Sequence, residues 1–160
     1  MNITRLTLGG VMAALVFVMT YFPKVPVPVT GGYIHLGDGA IFLAGMLLGP
    51  LAVASAAIGS ALSDLVGGYV PYVLPTLVIK GLMALLVWRL YRPGKPLRQL
   101  VAFFLAEALM VAGYFLTEWA LTGFAAALAA VVPNLIQGAA GIALGMFCVP
   151  LMPRMEKALR

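Results

Sequence analysis

The chain has 160 residues, of which 63% are hydrophobic and only 9% charged, with a formal net charge of +5. A soluble domain needs roughly a quarter of its residues charged to cover its surface, so this composition excludes a water-soluble fold and implies an integral membrane protein. The positive charge sits at the ends of apolar runs rather than in a nucleic-acid footprint, and it reads as topology.

The first run, "LTLGGVMAALVFVMTYF", follows Arg5 and precedes "PKVPVPV" without a small-x-small cleavage pattern, so it is a retained helix near residues 4–22 rather than a signal peptide. The polar stretch "GGYIHLGD" at 31–38 holds His35, the chain's single histidine. It reads as the end of a loop made mobile by Gly31 and Gly32, leading into a helix that Asp38 caps. The region 38–66 is too long for one straight span yet short for two, and it breaks at "LLGPLA", where Gly49 ends one helix and Pro50 begins another. Helices are therefore expected near 38–48 and 51–66, with longer spans near 72–91, 99–121 and 124–151. The expected fold is a single all-α transmembrane domain of six helices; whether the second crosses as a separate span stays open. The lone Cys148 can make neither an intrachain disulfide nor a thiolate cage, and is read as packing.

With both termini cytoplasmic, Arg5, Arg89, Arg92, Lys95, Arg98, Arg154, Lys157 and Arg160 all fall inside and Lys24 outside. A five-helix arrangement exchanges only Arg5 and Lys24 between sides. Both arrangements leave "VGGYVPYVLP" and the turn at Leu121–Phe124 outside.

Polar groups within hydrocarbon cost a few kcal/mol each and so mark a bundle interior or a watery cavity. Lys80 lies in "PTLVIKGLM"; Glu107, Tyr114 and Glu118 are spaced by seven and four residues, on one helix face; Asn134 and Gln137 are three apart on another. As mere interhelical glue, Lys80 would pair with Glu107 and the two amides would satisfy each other. Taken together, three consecutive helices carrying polar groups in their outer halves point to an outward-facing pocket. Pro133 frees a backbone carbonyl beside Asn134. Trp119 reads either as an interfacial anchor or as a stacking group, and Asp64, late in its helix, needs a partner or a ligand.

One His and one distant Cys supply no metal site, no Walker pattern is present, and no catalytic triad stands out. Glycines in "GGVMAA" and "GAAGIALG" lie within apolar helices, where small residues permit close packing. No cofactor is expected.

The stretches "GGYIHLGDGAIFLAGMLLGP", "ALSDLVGGY", "PTLVIKGLM", "GYFLTE" and "PNLIQG" in this order resemble the substrate-binding S components of energy-coupling factor (ECF) vitamin transporters, in particular the hydroxymethylpyrimidine- and pyridoxine-type binders. The resemblance implies a multi-pass protein of a prokaryotic cell membrane that captures a vitamin or its precursor from outside. It implies association with a transmembrane coupling protein and two cytoplasmic ATPases, and toppling in the bilayer to release the cargo. The implied ligand site lies among helices 4, 5 and 6, beneath extracellular loops. Substrate contacts are expected from Lys80, Glu107, Tyr114, Glu118, Trp119, Asn134, Gln137, Asp64 and Tyr69, with His35 at the lid. The family's Ala-x-x-x-Ala contact with the coupling protein maps onto Gly9 with Ala13 and Gly10 with Ala14, glycine replacing the first alanine. Riboflavin, biotin or a similar vitamin are alternative substrates. The rival class is an intramembrane enzyme acting on a lipid, with Asp64 and Glu107 as acid and base.

Overall fold

The computed structural model describes residues 3–27 and 32–158. Gly31 of the expected mobile loop and Arg160 of the basic tail lie outside the described residues.

Helix α1 (Ile3–Tyr21) leads through a short ribbon of β1 (Val25–Val27) and β2 (Gly32–Ile34) into α2 (Gly37–Leu47) and α3 (Leu51–Val66). A 3-10 turn (Val70–Tyr72) opens α4 (Val73–Leu90), followed by α5 (Pro96–Thr122), α6 (Phe124–Cys148), a second 3-10 turn (Val149–Leu151) and the short α7 (Met152–Ala158). The fold is all-α apart from the ribbon, in which Val25 pairs antiparallel with Ile34 and Pro26 with Tyr33. Among the described residues, four segments are long and apolar enough to cross a membrane: α1, the 70–90 segment, α5 and the segment from Phe124. At about 1.5 Å per residue, α2 reaches only about 16 Å and α3 about 24 Å, both short of a bilayer core.

Between α2 and α3 the chain turns at Gly49, whose φ of +63° is the left-handed backbone that glycine adopts without strain. Pro50 stands at the N-cap of α3.

Helix α2 packs against α1, α3, α4 and α6 and is buried along most of its length, as expected for a helix apolar on every side. Phe42 stacks on Phe103 of α5 with ring centroids 4.6 Å apart, and Ile41, Ala44, Met83, Val87 and Met110 complete the core. Around it, α1 packs on α3, α3 on α4, α4 on α5 and α5 on α6. The outer faces of these helices carry Val78, Phe104, Leu128, Val132 and Ile136 exposed, the pattern of a lipid-facing surface.

Asp38 does not cap α2. The N-cap position is Leu36, with no side-chain hydrogen bond, and Asp38 lies two residues further on, within the first turn, with its side chain fully buried. Its carboxylate pairs instead with an ammonium on α4.

Candidate functional site

At the end of the bundle opposite the basic loops, a chamber enclosing about 650 Å³ of non-atom space, its open mouth included, lies beneath the ribbon. Helical spacing builds its walls. On the α4 side Tyr72, Thr76 and Lys80 follow at four-residue steps; on α5 Tyr114 and Glu118 do the same; on α6 Ala130, Pro133, Asn134 and Gln137 share one face. Thr20, Tyr33, His35, Asp64 and Tyr69 close the chamber from α1, the ribbon and the end of α3.

At its floor, Lys80 Nζ pairs with Asp38 Oδ1 at 2.5 Å, both side chains fully buried. Gln137 Nε2 donates to the other Asp38 oxygen at 2.8 Å, and Gln137 Oε1 accepts the His35 backbone N–H at 3.2 Å. Neither the expected Lys80–Glu107 pair nor an Asn134–Gln137 amide pair forms: Asp38 takes both the ammonium and the Gln137 amide. A buried ammonium needs its counter-charge at contact distance, and α2 supplies it from the bundle centre.

The upper walls hold two carboxylates. Asp64 Oδ1 accepts from Tyr33 Oη at 2.7 Å, and Glu118 Oε1 accepts from Tyr72 Oη at 2.6 Å, while Thr122 donates to Glu118 Oε2 at 2.8 Å. Each carboxylate has about four lone-pair positions, so both keep acceptor capacity after these bonds. Tyr33 and Tyr69 lie with ring centroids 4.9 Å apart, and Lys24 Nζ sits 4.1 Å from the Tyr33 centroid and 4.3 Å from that of Tyr21. Burial lowers the Lys24 pKa and raises that of Tyr33, while the Asp64 charge raises both.

His35 Nδ1 accepts the Gly37 backbone N–H at 3.0 Å. The neutral ring therefore carries its proton on Nε2. Burial pushes its pKa down to about 3. His35, expected at the lid, thus accepts the first backbone amide of α2.

Of the ten residues expected at the substrate, the structure brings eight to this chamber: His35, Asp64, Tyr69, Lys80, Tyr114, Glu118, Asn134 and Gln137. Trp119 and Glu107 are not among its lining. Trp119 is 52% exposed and packs with Phe115 and Phe124, the setting of an interfacial anchor. Glu107 lies deeper, 4% exposed, with neither carboxyl oxygen hydrogen-bonded and with Gly138 and Gly141 of α6 against it. Sequence reading missed Thr20, Tyr33, Tyr72 and Thr76. The 72–76–80 spacing was the available signal for the last two.

The small-residue face of α1 also divides. Gly9 is buried against Leu51 and its carbonyl accepts Ser55 Oγ at 2.8 Å, and Ala13 backs onto Gly59 of α3. These two hold the bundle together. Gly10 and Ala14 face outward, with open space at Gly10.

Among the described residues, no group of three or more His, Cys, Asp or Glu side chains is placed to hold a metal ion. What the geometry defines is a multi-pass membrane protein built around a chamber lined by polar and aromatic side chains. The family described as "ECF-type riboflavin transporter, S component" matches residues 1–155. A protein of Pyrococcus woesei, described as an "uncharacterized protein in gap 3'region", is 36% identical over 132 residues, 81% of this chain and 88% of the relative. The thiamine precursor transporter HmpT of Lactococcus lactis subsp. cremoris (strain MG1363) is 30% identical over 155 residues, 96% of this chain and 90% of the relative. The chain belongs to the S components of ECF-type transporters.

Proposed function

We propose that the chamber binds the aminopyrimidine precursor of thiamin, hydroxymethylpyrimidine, and that the protein hands it to an ECF coupling protein driven by two cytoplasmic ATPases. The observation that carries this reading is the pair of chamber carboxylates, Asp64 and Glu118, each holding one phenol proton and retaining free acceptor positions. An exocyclic amine and a protonated ring nitrogen offer two parallel donors to one carboxylate. The rings of Tyr33, Tyr69, Tyr72 and Tyr114 supply flat apolar walls, and Asn134 supplies both a donor and an acceptor for the hydroxymethyl group. The name of the Lactococcus relative favours the same ligand class.

In this reading Lys80 is neutralised by Asp38 and frames the floor, Glu107 stands beneath it, and His35 Nε2 is a donor at the lid. In this reading both termini and the α4–α5 loop lie in the cytoplasm of a prokaryotic cell and the chamber opens outward, an orientation that the positive-inside rule favours. Gly10 and Ala14, the exposed pair on α1, are the face for the coupling protein. The protein acts as a capture subunit and not as a catalyst.

Calorimetry of the purified protein against hydroxymethylpyrimidine, thiamin, pyridoxine and riboflavin tests the assignment. Tightest binding of hydroxymethylpyrimidine without ATP is expected, with Asn134→Ala weakening it about ten-fold or more by stranding a partner in a dry site. Preference for riboflavin would overturn the substrate while leaving the S-component family intact.

A further inference from the structure

A second concavity lies at the opposite, basic end of the bundle. It is bounded by Arg5 of α1, by Met46, Leu47 and Leu48 at the end of α2, by the Gly49–Pro50 turn, and by Trp88 and Tyr91 at the foot of α4. It encloses about 700 Å³ of non-atom space, its mouth included. Two donors face it unspent. Among the described residues the Arg5 guanidinium makes no ion pair, the Lys80–Asp38 pair being the single one, and the Trp88 indole N–H, which runs alongside Gly49, makes no hydrogen bond. The adjoining α4–α5 region adds Arg89, Arg92, Lys95 and Arg98, and no acidic residue occurs between Asp64 and Glu107. Arg89 lies over the Trp88 ring at 4.6 Å, and Arg92 donates to the Tyr91 carbonyl at 2.9 Å.

From this juxtaposition we infer that the groove between the start of α1, the α2–α3 turn and the foot of α4 holds the phosphate-bearing headgroup of an anionic phospholipid. The phosphate meets Arg5 and the Trp88 N–H, and the glycerol and upper acyl chain lie on Met46, Leu47 and Leu48. A soluble anion would have no use for that apolar wall. A lipid has, and on α1 the exposed apolar Ile3 (80%) and Leu6 (54%) flank Arg5 in the chain. Basic side chains near a membrane surface attract anionic lipid over zwitterionic lipid, and an indole at that level satisfies its N–H at the headgroups. This inference does not depend on which vitamin the outer chamber takes.

Native mass spectrometry of the delipidated full-length protein, titrated with phosphatidylglycerol or phosphatidylcholine of identical acyl chains, tests the site. One phosphatidylglycerol should be retained with roughly ten-fold preference, as expected when a few basic groups near the surface select for charge. Arg5→Ala, an exposed substitution, should erase that preference without changing the melting temperature, and Trp88→Phe should reduce it. Equal retention of both lipids, or a preference unchanged in Arg5→Ala, would overturn the proposal. Displacement of the bound lipid by millimolar inorganic phosphate would overturn it too, by assigning the site to a free anion.

Discussion

The Lys80 ammonium is fully buried and its charge is met by one carboxylate from another helix. Removing one member of such a pair strands the other, at a cost of about 3–5 kcal/mol, whereas replacing both by neutral groups is often tolerated. Lys80→Met is therefore expected to lower the thermal unfolding midpoint in detergent sharply, and Lys80→Met with Asp38→Asn to regain most of the loss. Failure of the double variant to recover would show that the pair is not the source of the effect. His35 gives a second, pH-dependent handle. Its folded pKa, about 3, lies below the ordinary 6.5, so the unfolded chain takes up the proton first. Its contribution is complete above about pH 6.5 and is lost as the pH falls towards 3, with about 2 kcal/mol lost between pH 7 and 5. His35→Asn, which keeps an acceptor for the Gly37 amide but cannot charge, should flatten the melting curve over that range. Most of the chamber's polar residues were legible because ionisable groups in apolar helices have few other reasons to exist. Their partners were not: Asp38 is separated from Lys80 by 42 positions, and no local spacing rule reaches across that interval.

At the scale of elements, α5 and α6 approach closely because α6 presents glycine where α5 presents Glu107. A Cβ at Gly141 would stand 2.3 Å from Glu107 Oε1 and 2.9 Å from Asp38 Cβ. Gly141→Ala must displace a buried carboxyl or part the helices, and is expected to destabilise by about 1–3 kcal/mol in thermal or denaturant unfolding. Gly10→Ala meets open space and should leave the isolated protein unchanged. If the exposed pair on α1 is the coupling face, Gly10→Leu should also spare the melting temperature yet cut co-purification with the coupling protein about ten-fold, since small residues permit helices to meet without lipid between them. The long apolar runs and the Gly49–Pro50 break were plain in the sequence, since one follows hydropathy and the other backbone chemistry. The β1–β2 ribbon was not. Proline argues against a strand, but in a two-stranded ribbon both strands are edges, so Pro26 can sit opposite Tyr33 without an interior ladder bond to lose. Nor did small-residue spacing separate Gly9 and Ala13, which pack inward, from Gly10 and Ala14, which do not; only the position of α3 decides that.

Across the whole molecule, α2 links the two ends: its first turn carries Asp38 at the chamber floor and its last forms the wall of the basic groove. The chamber walls come from α1, the ribbon and α3 to α6, so a ligand bridging them ties together most of the helices. Binding to the folded state alone stabilises it by RT ln(1 + [L]/Kd), about 2.7 kcal/mol at a ligand concentration one hundred times Kd. Hydroxymethylpyrimidine at that concentration should raise the unfolding midpoint by several degrees, on the scale of roughly 2–4 °C per kcal/mol for chains of this length. Replacing both chamber carboxylates, Asp64→Asn with Glu118→Gln, preserves shape and the acceptors for Tyr33 and Tyr72 but removes the charges that face the ligand. That variant should melt near the wild-type temperature without ligand and lose most of the ligand-induced rise, because a Kd weakened about 100-fold leaves only about 0.4 kcal/mol at the same concentration. A full rise in the double variant would move the recognition of the amine elsewhere in the chamber, to Asn134 and Gln137; a collapsed midpoint without ligand would instead assign the carboxylates to holding Tyr33 and Tyr72 in place.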